Sequence, residues 1–253
     1  MLTRSGSANL STDYFTNRQD RYHIFSCGKL TDYFARIHHA VTQISYQVLP
    51  DENSEQGYNL VWPGSNPAPP PTLRPLEFKT AATALLTPLI KGPANLPGSS
   101  DTVSHDTHIY PLGQFTPLFR PLDTSTEIVG LSALLRLLTR PDFAGSKWTF
   151  TAGYFNIHPT LKALLLASRS AQGTIITASP EANGFYKSAG ISGHLPPAYT
   201  ILSTRFLQGV FAAGKQNCIH LKEWKRGKVG EPSGWTYHAK GTWVCVPHRH
   251  RTV

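Results

Sequence analysis

Between residues 29 and 48 the apolar positions Leu30, Phe34, Ile37, Val41, Ile44 and Val48 recur at intervals of three and four. That spacing puts one apolar stripe along a helix. Thr31 ahead of Asp32 suits its amino-terminal cap, and Pro50 its stop. The next stretch, "PDENSEQGYNLVWPGSNPAPPPTLRP", is too poor in apolar residues to offset chain entropy and reads as an exposed loop or linker. Residues 79–125 carry more Pro, Gly and Ser around a few short strand-like pieces, and "EIVGLSALLRLL" is a short apolar helix ended by Pro141.

From Trp148 the periods sharpen. "WTFTAGYF" and "GTIITAS" read as strands, with the helix "PTLKALLLASRS", opened by Pro159, between them. A loop, "PEANGFYKSAG", leads into the helix "PPAYTILSTRFLQGVFAAG" and the strand "CIHLKEW". A Gly-rich basic turn, "KRGKVGEPSG", then precedes a last strand, "WTYHAKGTWVCV". The order β-α-β-α-β-β predicts an α/β fold in which helices pack on a sheet. No short-period internal repeat interrupts it.

Length and composition narrow the class. With 253 residues, 40% of them hydrophobic, the chain can bury a sizeable core. No run approaches the roughly 18 apolar residues of a membrane-spanning helix. The formal charge of +9, from 24 basic and 15 acidic residues, suits an anionic partner. Nucleic acid, a phosphorylated metabolite and an acidic lipid surface all meet that description, and charge alone does not choose among them. Cys27, Cys218 and Cys245 are too few and too scattered for a disulfide framework, which predicts free thiols in a reducing compartment. The amino-terminal residues, with Asp13 and no long apolar stretch, resemble neither a secretory signal nor a good amphipathic transit peptide.

Candidate chemistry sits in the last strand, where His238 and Lys240 flank Ala239. Strand residues two apart share a face, so both side chains reach toward one place about 6–7 Å apart along the strand. A lysine beside a histidine supplies positive charge where a phosphate would sit, while the imidazole attacks phosphorus or moves a proton to or from an oxygen. That is phosphoryl chemistry without a metal or other cofactor. Standing alone, H-x-K is a weak signal, and two solvated residues of an edge strand are its commoner explanation. A second fragment, "GSAN" at Gly6–Asn9, is a small-residue turn able to hold a phosphate oxygen through Ser7 and Asn9, or simply to cap a turn. Cys245, His248 and His250 with His238 form no common zinc spacing, and a basic tail is the simpler reading. The turn "KEWKRGKVG" suits an acidic headgroup, a cytidine diphosphate or solvent. His158, before Pro159, reads as a helix cap.

Together the two fragments resemble the phospholipase D superfamily, whose motif runs H-x-K-x4-D and then G-S-x-N, once in each of two similar halves. Within it the chain resembles the eukaryotic mitochondrial-type phosphatidylglycerophosphate synthases, on the stretches "ANLSTDYFTNRQDRY", "FTAGYFNIHP", "TIITASPEANGFYKSAG", "LPPAYTILSTRFL" and "GWTYHAKGTW". The resemblance implies two α/β halves, each a mixed sheet flanked by helices, with the first half incomplete. Residues 1–50 would be a remnant of that first half, 51–145 a loop-rich linker with connecting segments, and 146–253 a second half cut off after its H-x-K.

The same resemblance implies phosphatidyl transfer from CDP-diacylglycerol to glycerol 3-phosphate, with CMP released and a phosphohistidine intermediate. The product leads toward phosphatidylglycerol and cardiolipin. It implies His238 as acid and base, Lys240 as phosphate ligand and Asp20 as the carboxylate orienting His238, in place of the plainer pairing of Asp20 with Arg18 or Arg21. Ser7, Asn9, Asn183 and Tyr186 would border the substrate. It further implies peripheral contact with an anionic membrane, in mitochondria at the inner membrane, and no nucleic-acid partner. The first H-x-K of the pattern would lie upstream of Gly6, the second G-S-x-N beyond the terminal "HRHRTV", and Cys245 stands where the motif has Asp. The expectation is therefore a chain that is inactive or nearly so by itself. A non-catalytic basic protein binding anionic lipid or nucleic acid is the alternative reading.

Overall fold

The computed structural model describes residues 3–6, 11–91, 107–119 and 123–246. In chain order the elements are β1 (Thr3–Gly6), α1 (Asp13–Thr16), β2 (Arg18–Gln19), β3 (Tyr22–Phe25), α2 (Gly28–Thr42), β4 (Gln47–Pro50), β5 (Tyr58–Val61), α3 (Pro75–Lys91) and α4 (Glu127–Leu137). There follow β6 (Lys147–Ala152), α5 (Pro159–Leu166), β7 (Gln172–Ala178), α6 (Leu195–Ala212), β8 (Ile219–Trp224), β9 (Thr236–Tyr237) and β10 (Lys240–Cys245). They divide into two compact units: Phe25–Leu131 with Met1–Thr3, and Ser132–Val253 with Arg4–Ile24.

The second unit is built on a four-stranded mixed sheet ordered β10-β6-β7-β8. Strands β6, β7 and β8 run parallel, and β10 returns antiparallel along the free edge of β6. Parallel neighbours require crossovers, which α5 and α6 supply. Central β7 alternates buried positions around Ile175 (0% exposed). Opposite it, Trp148 lies across Gly173, its cross-strand partner, where any β-carbon would overlap the indole. The Trp148 Nε1–H donates to Ser168 Oγ at 3.3 Å, so the ring buries its area without stranding its donor. Phe155 and Phe206 meet edge to face at 5.2 Å beneath α6.

The first unit packs α2 on α3. Phe78, Ala82, Leu86 and Ile90 form an unbroken i, i+4 stripe that is buried with Ala40 and Ile44. This helix corrects the reading of residues 79–125 as strand-like pieces: its stripe is regular, and Pro88 is accommodated near the carboxyl end, within the last turn. Strand β5 likewise replaces part of the expected loop, pairing antiparallel with β4.

Helix α2 is displaced from its expected bounds. It starts after extended Cys27, and Thr31 is an interior residue whose hydroxyl donates back to the Cys27 carbonyl at 3.0 Å. It ends at Thr42, ahead of Pro50, in a tightened last turn: Ile44 N donates to Val41 O and Ser45 N to Thr42 O, while Thr42 Oγ1 adds a bond to His39 O and Ser45 Oγ one to Val41 O, each at 2.7 Å. Val48 and Pro50 belong to β4. The expected terminal strand is also split in two, as β9 and β10, with His238 and Ala239 at the break. Among the described residues no helix is long and apolar enough to cross a membrane.

Candidate functional site

The site starts from a pairing between sequence-distant segments of the second unit. β2 runs parallel to β9, with Arg18 opposite Thr236 and Gln19 opposite Tyr237. Thr236 N donates to Asn17 O at 3.0 Å and His238 N to Gln19 O at 2.8 Å. The next step of the same register brings Asp20 beside His238. Asp20 Oδ2 lies 3.0 Å from His238 Nδ1, and the Asp20 side chain is 1% exposed. Its other oxygen accepts from Arg21 N at 2.8 Å.

Lys240 opens β10 opposite Ala152, the last residue of β6, so the cluster sits at the carboxyl end of the parallel strands. Open α/β sheets present their ligand crevices at that end. The Lys240 ammonium donates to His238 O at 2.9 Å and lies 2.9 Å from Nε2 and 3.0 Å from Nδ1 of the same ring. These distances do not all describe hydrogen bonds. A carboxylate only accepts, so Nδ1 carries the proton and gives it to Asp20. Nδ1 then has no lone pair for Lys240, and an ammonium almost equidistant from both nitrogens lies over the ring face, out of line with the in-plane lone pair of Nε2, so its hydrogen-bond acceptor is His238 O. The ring is thus held as the Nδ1–H tautomer, with the lone pair on Nε2 and the positive charge of Lys240 stacked against it.

Burial pushes the His238 pKa below its ordinary 6.5, opposed by the hydrogen bond to Asp20 and assisted by the Lys240 charge. The ring is neutral near pH 7, the form in which it can act as base or nucleophile. Desolvation likewise lowers the Lys240 ammonium; Asp20 opposes and Arg18 adds to the effect.

Aromatic edges enclose the imidazole. Tyr14 meets it at 5.5 Å and Tyr154 at 6.0 Å, both T-shaped. Tyr154 stacks on Tyr199 at 5.5 Å and touches Phe185 at 5.6 Å. Burial raises its hydroxyl pKa, so it stays a neutral donor. Gly153 makes the approach possible, for a β-carbon there would overlap the Tyr237 carbonyl oxygen and lie 3.4 Å from His238 Cα.

Of the residues predicted from sequence, His238, Lys240 and Asp20 are brought together. Ser7, Asn9, His248 and His250 lie outside the described residues. Asn183, 2% exposed, turns its Oδ1 onto Phe185 N at 2.9 Å, and Tyr186 follows it on the loop that reaches the cluster through Phe185 and Tyr154. His158 Nδ1 accepts from Thr160 N at 3.3 Å, a helix cap as expected. Among the described residues no group of three His, Cys, Asp or Glu is placed to hold a metal ion. Sequence reasoning passed over Tyr14, Arg18, Gly153 and Tyr154. The i, i+2 spacing of Arg18 from Asp20 is the signal that would have found one of them.

No family model matches the chain. It is similar to proteins named CDP-diacylglycerol–glycerol-3-phosphate 3-phosphatidyltransferase. The Saccharomyces pastorianus protein is 44% identical over 243 residues, covering 94% of this chain and 45% of that one. The Schizosaccharomyces pombe protein is 34% identical over 277 residues, 95% of this chain and 52% of that one. The human protein, named mitochondrial, is 32% identical over 262 residues, 94% and 43%. In fold, the chain matches the crystal structure of a phosphatidylserine synthase from Haemophilus influenzae Rd KW20, with a TM-score of 0.58 at 18% identity over 96% of this chain and 49% of that one. This chain spans about half the length of the curated relatives it matches, and over 94% of its own length it is a homologue of proteins named CDP-diacylglycerol–glycerol-3-phosphate 3-phosphatidyltransferase.

Proposed function

We propose that this chain carries one catalytic half of an enzyme that transfers a phosphatidyl group from CDP-diacylglycerol to glycerol 3-phosphate, releasing CMP and giving phosphatidylglycerophosphate. The observation that carries the reading is the Asp20–His238–Lys240 arrangement: a neutral imidazole of fixed tautomer, with a cation packed against its ring. An incoming phosphate gives Lys240 an anionic acceptor beside Nε2, which keeps its lone pair. In the first step a nucleophilic imidazole attacks the phosphorus bearing the diacylglycerol, and its bond to the CMP phosphate breaks. In the second, an acceptor hydroxyl attacks that phosphorus, the phosphorus–nitrogen bond breaks, and the hydroxyl proton passes to Nε2 of His238. A phosphate leaving group needs little protonation, so a base of lowered pKa suffices.

The finer reading is a phospholipase D-like pair of α/β halves meeting at this site, the other imidazole coming from the other half. Residues 1–50 belong to the first half, 51–145 connect, and 146–253 belong to the second. Ser7 and Asn9 complete the phosphate cradle, with Asn183 and Tyr186 at its border. Peripheral attachment to an anionic membrane, at the mitochondrial inner membrane, accords with the net charge of +9 and with the mitochondrial names of the mammalian relatives.

The test is a graft of this chain in place of the 240 matching residues of the Saccharomyces cerevisiae relative, with CMP and phosphatidylglycerophosphate measured. Turnover by the graft, lowered about 10³-fold or more by His238→Ala, is the expected result, since members of such a unit are strongly non-additive. Undiminished turnover by the His238→Ala graft would remove the reading.

A further inference from the structure

Arg18 stands two residues before Asp20 on β2, opposite Thr236, so its side chain leaves the ribbon on the side that carries Asp20 and His238. Its Nη1 donates to the Tyr14 hydroxyl at 3.1 Å, and its guanidinium carbon lies 4.3 Å from the Tyr14 ring centroid. Tyr14 itself lies edge-on to His238, so one aromatic ring ties the guanidinium to the imidazole. Nη2 is 3.7 Å from Asp13 Oδ2, but that carboxylate is 64% exposed and competes weakly.

The Arg18 side chain is 16% exposed. Among the described residues its Nε is buried without a hydrogen-bond partner, and so is Thr236 Oγ1 directly across the ribbon. A buried donor left unused is costly, and two side by side mark a place made for an acceptor. Nη1 is already committed to Tyr14. What remains is Nε with the Nη2 on its own side, a side-on fork that matches two oxygens of one phosphate.

Lys240 lies over the His238 ring, 2.9 Å from Nε2, and its charge places the attacked phosphate beside that nitrogen. The proposed reaction brings further phosphates to that point, one on the nucleotide and one on the acceptor. We infer that Arg18, through Nε and Nη2 and with the Thr236 hydroxyl alongside, binds a phosphate group that lies next to the reacting phosphorus and is not itself attacked. The inference rests on the phosphatidyl-transfer reading above and adds to it a specificity-determining residue. Its ligand is either the leaving nucleotide phosphate or the phosphomonoester of the acceptor. In both cases the guanidinium demands a phosphorylated compound and gives nothing to an uncharged alcohol.

The experiment is a phosphorus NMR titration of the full 253-residue chain with CMP, glycerol 3-phosphate and inorganic phosphate, and a calorimetric titration with glycerol as the uncharged control. Arg18→Gln, Arg18→Lys and Lys240→Gln are compared with the unaltered chain. The expected result is a loss of about tenfold or more in phosphate affinity for Arg18→Gln, and a smaller loss for Arg18→Lys, which keeps the charge but not the fork. Whichever of CMP and glycerol 3-phosphate suffers the larger Arg18-dependent loss is the source of the group. Should Arg18→Gln fail to fold, Arg18→Lys with an unchanged melting curve decides. Unaltered affinities in the folded Arg18 variants, with Lys240→Gln weakened, would overturn the inference and leave the transfer reading in place. Absence of phosphate binding by the unaltered chain also overturns it, while turnover by the graft judges the transfer reading separately.

Discussion

Asp20 and His238, 218 positions apart in the chain, meet at 3.0 Å because β2 and β9 pair in parallel one residue before each of them. The backbone therefore sets the contact before either side chain contributes. The carboxylate accepts from Nδ1–H, which leaves Nε2 to face Lys240.

Replacing Asp20 with Asn tests that division of roles. The hydrogen bond that His238 donates to Asp20 raises the His238 pKa against the pull of burial, so its loss lowers the pKa further. It also frees the ring to take the Nε2–H tautomer, which cannot accept a proton at the reacting nitrogen. A nitrogen-15 titration of His238 should show both changes. In the grafted enzyme the turnover should fall by roughly 10²–10⁴-fold, the range for a misdirected tautomer in a comparable triad. A titration curve identical to that of the unaltered chain would mean that Asp20 does not control the ring.

His238 also makes a pH-dependent contribution to stability. Its folded pKa lies below the ordinary 6.5. Between that value and the lower folded one, the unfolded chain holds the proton that the folded chain refuses, so stability rises with pH across the window. The ring does not penalise folding above 6.5; its penalty grows as pH falls from 6.5 to the folded value and is constant below it. Urea unfolding at about pH 5 and 7 should therefore show a steeper drop toward acid for the unaltered chain than for His238→Gln, whose side chain does not titrate. Equal drops would indicate that His238 is not desolvated.

Much of this was legible in the sequence. Central strand β7 and helices α5 and α6 carry periods that local physics obeys, so their bounds fall within a few residues of expectation. Helix α3 was hidden although its stripe at Phe78, Ala82, Leu86 and Ile90 is regular, because Pro88 and the surrounding Pro-rich composition argued against a helix. The failure at α2 is different in kind: i→i−3 backbone bonds from Ile44 and Ser45, with the hydroxyls of Thr42 and Ser45 beside them, close the helix through local bonds that hydrophobic periodicity does not register. At the site, H-x-K placed His238 and Lys240 together, and resemblance named Asp20. The enclosing Tyr14 and Tyr154 depend on register and approach between distant segments, which no local pattern encodes.

The loop beside the site is tied to the basic turn by Lys225 and Glu181, whose charged atoms are 2.9 Å apart. The Lys225 hydrogen bond is the largest of the influences that hold the Glu181 carboxyl at about 2 instead of the ordinary 4.5. A depressed carboxyl stabilises the fold above its unfolded value, and that contribution is lost as pH falls from 4.5 through about 2. Lys225→Ala should return the Glu181 pKa toward 4.5 in a carbon-13 carboxyl titration and flatten the acid limb of stability. With the two side chains 28% and 46% exposed, solvent screens the pair. The loss near pH 7 should stay under about 1 kcal/mol. A larger loss would assign the turn a structural role beyond the ion pair.

Gly153 supports the whole cluster by what it lacks. It follows the last residue of β6, and the Tyr237 carbonyl occupies the space where a β-carbon would stand, with His238 Cα in contact at 3.4 Å. Backbone cannot rotate aside as a flexible side chain can, so Gly153→Ala must push β9 away from β6. The strain should destabilise the fold by about 1–3 kcal/mol, the range for an added methyl group in a packed interior. The same shift moves His238 relative to Lys240, which is anchored independently by its own pairing with Ala152. The variant should therefore show a lower melting temperature and also a changed His238 titration, because the ammonium no longer lies over the ring at 2.9 Å from Nε2. A melting temperature and a His238 titration both equal to those of the unaltered chain would mean that the two strands do not approach as closely as described.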